Sequence, residues 1–193
     1  GSKSSNAYVY ANLKASKDLT FTVGVSYDKF EPDNTVTNQK REQVNPKFGV
    51  IWSPVAGTTL RAAAFRVLTR SLIAEQTVEP TQVAGFNQFY DDAGATESRR
   101  YGVAVDQKFS RTVFGGIELS RRDLSVPFRF LDFDPNTGAV IADEVRRGDV
   151  NENLGRAYLF WTPHPWVALS AEYQRERIVT NDDEIARSLS FRS

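Results

Sequence analysis

The chain has 193 residues, with 24 Lys plus Arg balanced by 24 Asp plus Glu, so its formal net charge is zero. That balance removes the electrostatic reason to expect nucleic acid as a partner. Cysteine is absent, which excludes disulfides and thiolate sites, and no stretch approaches the roughly 18 consecutive apolar residues of a membrane-crossing helix. Methionine is absent even at position 1. Gly1-Ser2 therefore reads as a cloning scar, residues 1–5 as scar or linker, and 1–193 as a single β unit whose native start lies elsewhere.

In chain order, residues 7–16 are rich in Tyr and Val, and Lys17-Asp18 makes a short turn. Residues 19–28 then alternate: Leu19, Phe21, Val23, Val25 and Tyr27 on one face, with Thr20, Thr22, Gly24, Ser26 and Asp28 on the other. Successive strand side chains point to opposite faces, so this is a half-apolar strand closing a hairpin. Residues 47–53 put Phe48, Val50 and Trp52 on one face, turn at Pro54-Val55-Ala56-Gly57, and return over 58–68. A helical turn is conceivable at 71–76, but Pro80 limits it. Tyr101, Val103, Val105, Gln107 and Phe109 alternate with Gly102, Ala104, Asp106 and Lys108, and after Ser110-Arg111 come Val113, Ile117 and Leu119. Residues 157–161 end at Thr162-Pro163-His164-Pro165, and Val167, Leu169, Ala171 and Tyr173 alternate with Ser170, Glu172, Gln174 and Glu176. The pattern predicts an all-β antiparallel up-and-down meander of about eight strands, with 185–192 as a possible ninth.

Connections within hairpins are short, whereas 31–45, 69–98 and 125–153 read as long polar loops. Membrane barrels show that asymmetry. Trp52, Phe109, Trp161 and Trp166 all lie beside short turns, at one end of the hairpins, where they read as interfacial aromatics. The bland alternative makes each a core residue at a hairpin end. The polar strand faces carry Asp28, Lys47, Asp106, Lys108, Glu118, Arg122, Glu172 and Glu176, read as lumen-facing candidates, since a charge facing lipid costs about 2–4 kcal/mol near the midplane. In a soluble β domain the same residues form the solvated face. These patterns predict a transmembrane β-barrel or a segment of one.

The run Val44-Asn45-Pro46-Lys47-Phe48-Gly49, followed by Thr59-Leu60-Arg61-Ala62-Ala63-Ala64-Phe65-Arg66 and Ser71-Leu72-Ile73-Ala74-Glu75, resembles the barrel of TonB-dependent receptors. Glu79 to Gln88 departs from that pattern. With Tyr101 to Phe109 and Ser120-Arg121-Arg122-Asp123-Leu124 it is closer to the C-terminal barrels of outer-membrane proteins that carry tetratricopeptide repeats. The resemblance spans 45–176. It implies porin-like passage or export of a solute or polymer across the bacterial outer membrane, with outer-membrane lipid as a partner and further domains of the same parent upstream. No plug or energy-coupling box is present, which argues against receptor-type uptake. The terminal Ser190-Phe191-Arg192-Ser193 lacks a final aromatic, so a piece cut at both ends is expected.

Chemistry-bearing motifs are few. His164 is the only histidine and sits between prolines in a turn, which excludes a multi-histidine metal site or a Ser-His-Asp triad. Asp132-Phe133-Asp134-Pro135-Asn136-Thr137-Gly138 has alternating oxygen ligands, but Thr137 and Asp143 stand where an EF-hand needs Gly and Glu, so it reads as a hairpin turn. The acidic tract 181–184 and the paired arginines at 99–100, 121–122 and 146–147 read as solvated loop and loop-pairing groups. No metal, cofactor or enzymatic activity is expected. The alternative function is a soluble β-barrel or propeller-like domain that binds a ligand or protein partner. A glycosidase ranks behind it, because nothing places two carboxylates about a glycosidic bond.

Overall fold

A computed structural model describes residues 3–31, 40–69, 79–90, 92–134, 136–138, 140–180 and 183–192; residues 141–144 and 183–192 are described by backbone alone. The conceivable helical turn at 71–76 and the side chains of the acidic tract at 181–184 lie outside the described residues.

Alternating Val, Thr, Tyr and Phe suit a pleated surface with two unlike faces. The strands are β1 (Lys3–Lys14), β2 (Leu19–Glu31), β3 (Arg41–Val55), β4 (Thr58–Leu68), β5 (Gln82–Val83), β6 (Phe86–Asn87), β7 (Glu97–Lys108), β8 (Val113–Phe133), β9 (Val140–His164), β10 (Val167–Thr180) and β11 (Asp183–Arg192). Nine of them form one antiparallel sheet in the order β1-β2-β3-β4-β7-β8-β9-β10-β11, and β5-β6 is a separate small hairpin. Local chemistry sets the turns: Ser110 Oγ accepts from the Thr112 and Val113 amides, at 3.1 and 3.0 Å, folding β7 into β8. Pro46 lacks an N–H, and β3 pairs with β4 only from Lys47 onward.

The antiparallel meander is as expected, but its closure is not. Among the described residues β1 pairs only with β2 and β11 only with β10, so the sheet is open, with two edges. This corrects the transmembrane-barrel reading. Edge N–H and C=O groups placed in hydrocarbon would each cost several kcal/mol, so lipid-exposed sheet edges do not occur there. The expectations that depended on closure fall with it: porin-like or export-type passage, outer-membrane lipid as partner, and location in the outer membrane. The loop asymmetry also shrinks. β3 starts at Arg41, and β8 and β9 run through most of the expected 125–153 loop, with a turn at Asn136-Thr137 between them. In the β4–β7 connection, the described residues 79–90 fold onto the sheet. Among the described residues no helix is long and apolar enough to cross a membrane, a fact that bears on helices alone.

The apolar core lies on one side of this sheet. Ala63 and Phe65 and Val67 of β4, with Ala104 of β7, pack against Val83, Ala84 and Phe86 of the β5-β6 hairpin, flanked by Tyr10, Ile51 and Tyr90. Among the described residues nothing covers the other face.

An open sheet has a hydrogen-exchange signature. Alternate amides of edge strand β1, which point away from β2, will exchange rapidly, while those of the central strands β4 and β7 are protected. Exchange mass spectrometry with fragment resolution checks this; protection of β1 equal to that of β7 would mean that the sheet closes.

Candidate functional site

The strand registers sort the side chains into two unlike faces. One cross-strand row runs Gly49, Ala63, Gly102 and Ser120, from β3 through β4 and β7 to β8. These small residues form a trough, and the β5-β6 hairpin lies in it. Its turn is Ala84-Gly85, both at positive φ (48° and 83°), the geometry that matches strand twist in a two-residue hairpin. A Cβ on Gly49 would stand 2.8 Å from Ala84 Cβ, and one on Gly102 would run into the Phe86 ring. Phe86 and Val83 are fully buried there.

Cations on the sheet hold the hairpin and its flanks. Lys47 Nζ lies 3.3 Å from Glu79 Oε1, and both side chains are fully buried. Lys47 also donates to Gln88, whose amide donates in turn to the Pro80 carbonyl at 2.6 Å and to the Tyr10 hydroxyl at 3.0 Å. Tyr10 donates to Glu79 at 2.7 Å. Burial, then that bond, pushes the Tyr10 phenol well above its ordinary pKa. Arg100 donates to the Asn87 carbonyl at 2.9 Å, Arg61 to that of Ala84 at 3.4 Å, and Arg147 to that of Ala95 at 3.1 Å. Phe89 lies between the Arg100 and Arg122 guanidiniums, 4.9 and 4.7 Å from its ring centre.

A second network spreads over β4 and β7–β10. Asp106 accepts from Arg61 at 2.6 Å and from the Tyr158 hydroxyl. Burial alone would raise the Asp106 pKa, but the Arg61 and Tyr158 hydrogen bonds outweigh it and hold the carboxyl below its usual value. Glu118 stands among Arg156 at 3.3 Å, Arg100 at 3.6 Å and Arg61 at 4.0 Å. Burial pulls the Arg100 pKa down, and Glu118 works against that. Arg122 bridges Asp92 and Glu152, each at 2.8 Å. Each of these carboxylates is thus answered by a guanidinium.

Of the sequence-derived polar residues, Asp28, Lys47, Asp106, Glu118 and Arg122 lie in these networks. Asp28 accepts from Asn45 at 2.6 Å and Asn6 at 2.7 Å. Glu172 is 3.9 Å from Arg156, Glu176 accepts from Gln174, and Lys108 is exposed at the β7 end. An open sheet encloses no lumen, so their common feature is the polar face. Trp52 and Trp161 lie half-exposed on the opposite face; Phe109 and Trp166 are exposed in turns, with Trp166 edge-on to His164. Asp134 caps its own turn by accepting from the Asn136 amide at 2.8 Å. Among the described residues no group of three His, Cys, Asp or Glu is placed to hold a metal.

Sequence reasoning missed Tyr10, Arg61, Glu79, Phe86 and Gln88 as site residues, and read Arg100 as a partner of loop acids. The 58–68 strand reads ambiguously because Ala62-Ala63-Ala64 blurs its parity, which hid Arg61. Glu79 and Phe86 fell in a segment taken as loop, although Val83-Ala84-Gly85-Phe86 carried a hairpin signal.

The opposite face is exposed and mostly apolar, with Arg121, Arg175 and Arg177 on its β8–β10 side. Phe48 and Trp52 on β3, Val103 on β7 and Ile117 and Leu119 on β8 form ridges, whereas Ala62 and Ala64 on β4 and Gly155 and Ala157 on β9 leave lower ground between them. Over Gly155, between Leu119 and Arg175, lies an open depression of about 680 Å³.

Residues 1–96 match the family model for TonB dependent receptor-like, beta-barrel proteins. That stretch covers β1 to β6, rather than the 45–176 span of the sequence resemblance, and the sheet containing it is open. The likeness to the tetratricopeptide-associated barrels finds no support, and the barrel identification is corrected accordingly. No curated protein and no solved structure matches the chain.

Two outcomes follow. Lys47→Met strands Glu79 as a buried unpaired charge and will cost about 3–5 kcal/mol, whereas the double variant Lys47→Met/Glu79→Leu will recover most of that loss in urea melts. Because Asp106 is depressed in the folded chain, its stabilisation is complete above the unfolded value of about 3.9 and disappears as pH falls through the folded value. Asp106→Asn will flatten that acid limb in denaturation curves taken across pH.

Proposed function

We propose that this chain is a non-catalytic, protein-binding β domain whose exposed apolar face packs against the same face of a second copy. The observation that carries this reading is the breadth of that face, with Val9, Val23, Phe48, Trp52, Val103, Ile117, Leu119, Leu159 and Leu169 all left outside. Contiguous apolar surface beyond a few hundred Å² marks an interaction site. Its relief favours another sheet as occupant. Packed sheets interdigitate about 10 Å apart, and here ridges on β3 and β7–β8 alternate with low ground on β4 and β9. A two-fold arrangement sets ridge against trough on both copies. Fully covering each Val, Leu or Phe is worth about 1.5–3 kcal/mol. Asp106, Glu118 and Glu152 on the polar face are engaged by arginines, which supports binding rather than catalysis.

Light scattering coupled to size exclusion, in detergent-free buffer, tests this. The unaltered chain is expected at twice the chain mass, and Val103→Lys/Leu119→Lys at the chain mass with the same far-UV spectrum. A monomeric unaltered chain, a variant that stays dimeric, or a particle that disperses only with detergent would each overturn the reading.

A further inference from the structure

We infer that the small-residue trough on the polar face is a polypeptide-binding site, filled in cis by residues 79–90 and able to take the same segment from a second molecule. This site lies across the sheet from the proposed dimer face and does not rest on it.

The recognition splits into parts that a separate polypeptide could satisfy. Gly102 leaves room for one aromatic ring, which Phe86 occupies, and Gly49 leaves room for Val83 and Ala84 on the other strand of the hairpin. Arg100 and Arg61 donate to main-chain carbonyls at Asn87 in β6 and Ala84 in the turn, so this part of the grip reads main chain rather than side chains. Lys47 supplies the selective part. It is buried and faces a carboxylate at Glu79 and an amide oxygen at Gln88. Neither β5 nor β6 is paired with any strand of the main sheet, so no ladder hydrogen bond must break when the segment leaves. A cis segment competes at an effective concentration in the millimolar range, which is why the intact chain should reject a trans copy. The ligand class is a short β-hairpin peptide with a carboxylate seven positions before a buried aromatic, as Glu79 stands to Phe86.

The test uses the full chain and a fluorescein-labelled peptide of residues 79–90. Glu79→Gln/Phe86→Ala weakens the cis segment while leaving the trough intact. That variant should bind the peptide saturably by fluorescence anisotropy, at least about tenfold more tightly than the unaltered chain. Adding Gly102→Leu, which fills the ring position, should abolish binding. Binding that survives Gly102→Leu places the peptide elsewhere and overturns the inference. So does a lack of binding by Glu79→Gln/Phe86→Ala when its far-UV spectrum still reports the sheet. Loss of the sheet in that variant would make the hairpin an integral part of the core, which also overturns it. An independent check needs no variant: in native-state hydrogen exchange the amides of 83–88 should open at lower denaturant than those of β4 and β7. Exchange of both in one cooperative step would count against a separable segment.

Discussion

The buried contact between Lys47 and Glu79 is the constraint on which the polar side of this molecule depends. Neither charge reaches water. Desolvating both costs several kcal/mol each, and their attraction repays that only if the remaining hydrogen-bonding capacity is met. Tyr10 and Gln88 meet part of it. Glu79 stands at the start of the segment that Phe86 anchors at the other end. The ion pair thus fixes the register of the hairpin along the trough, and the ring fixes its depth. Gly49 and Gly102 are small because a backbone and a ring must lie against them.

This arrangement explains how a sheet with a charged face acquires a hydrophobic core at all. A flat antiparallel sheet with one apolar face would ordinarily bury that face. Here the apolar cluster forms on the charged side, where Ala63, Phe65 and Val67 meet Val83 and Phe86. The charges ring that cluster and answer one another. Arg61 reaches both Asp106 and the Ala84 carbonyl, so one guanidinium serves the network and the hairpin together. Substitution in either would be felt by the other, since residues sharing a partner do not act additively.

Much of the sheet was legible in the sequence because its information is local. The alternation over 19–28 and 101–109, and turn residues such as Lys17-Asp18 and those within 54–57, determine strand existence and parity, whereas β9 runs on to His164 through most of the turn expected at 162–165. Strand length was less legible. Residues 125–133 and 140–153 lack clean alternation, because beyond Leu119 the positions of the apolar face pass to polar residues such as Arg121, Asp123, Arg147 and Asn151, yet the β8–β9 ladder continues through them. Closure was not legible at all: alternation states which residues share a face, and says nothing about whether the first strand meets the last. The site was hidden for a related reason. Gly49, Ala63 and Gly102 are far apart in sequence and become a trough only through cross-strand register.

The two faces differ in what they still require. On the polar face Glu118 sits among three guanidiniums and Arg122 between two carboxylates, so these charges already have counter-charges within the chain. An ionic ligand arriving there would have to displace a partner before gaining one, and exchanging one buried ion pair for another yields little net energy. The apolar face has no such internal answer. Its Phe48, Trp52, Val103 and Leu119 gain only by leaving water, and nothing else in the described chain covers them. The driving force for association therefore lies on the apolar face. Selectivity lies on the polar one, where any segment that replaces the hairpin must present both a carboxylate to Lys47 and a ring to Gly102.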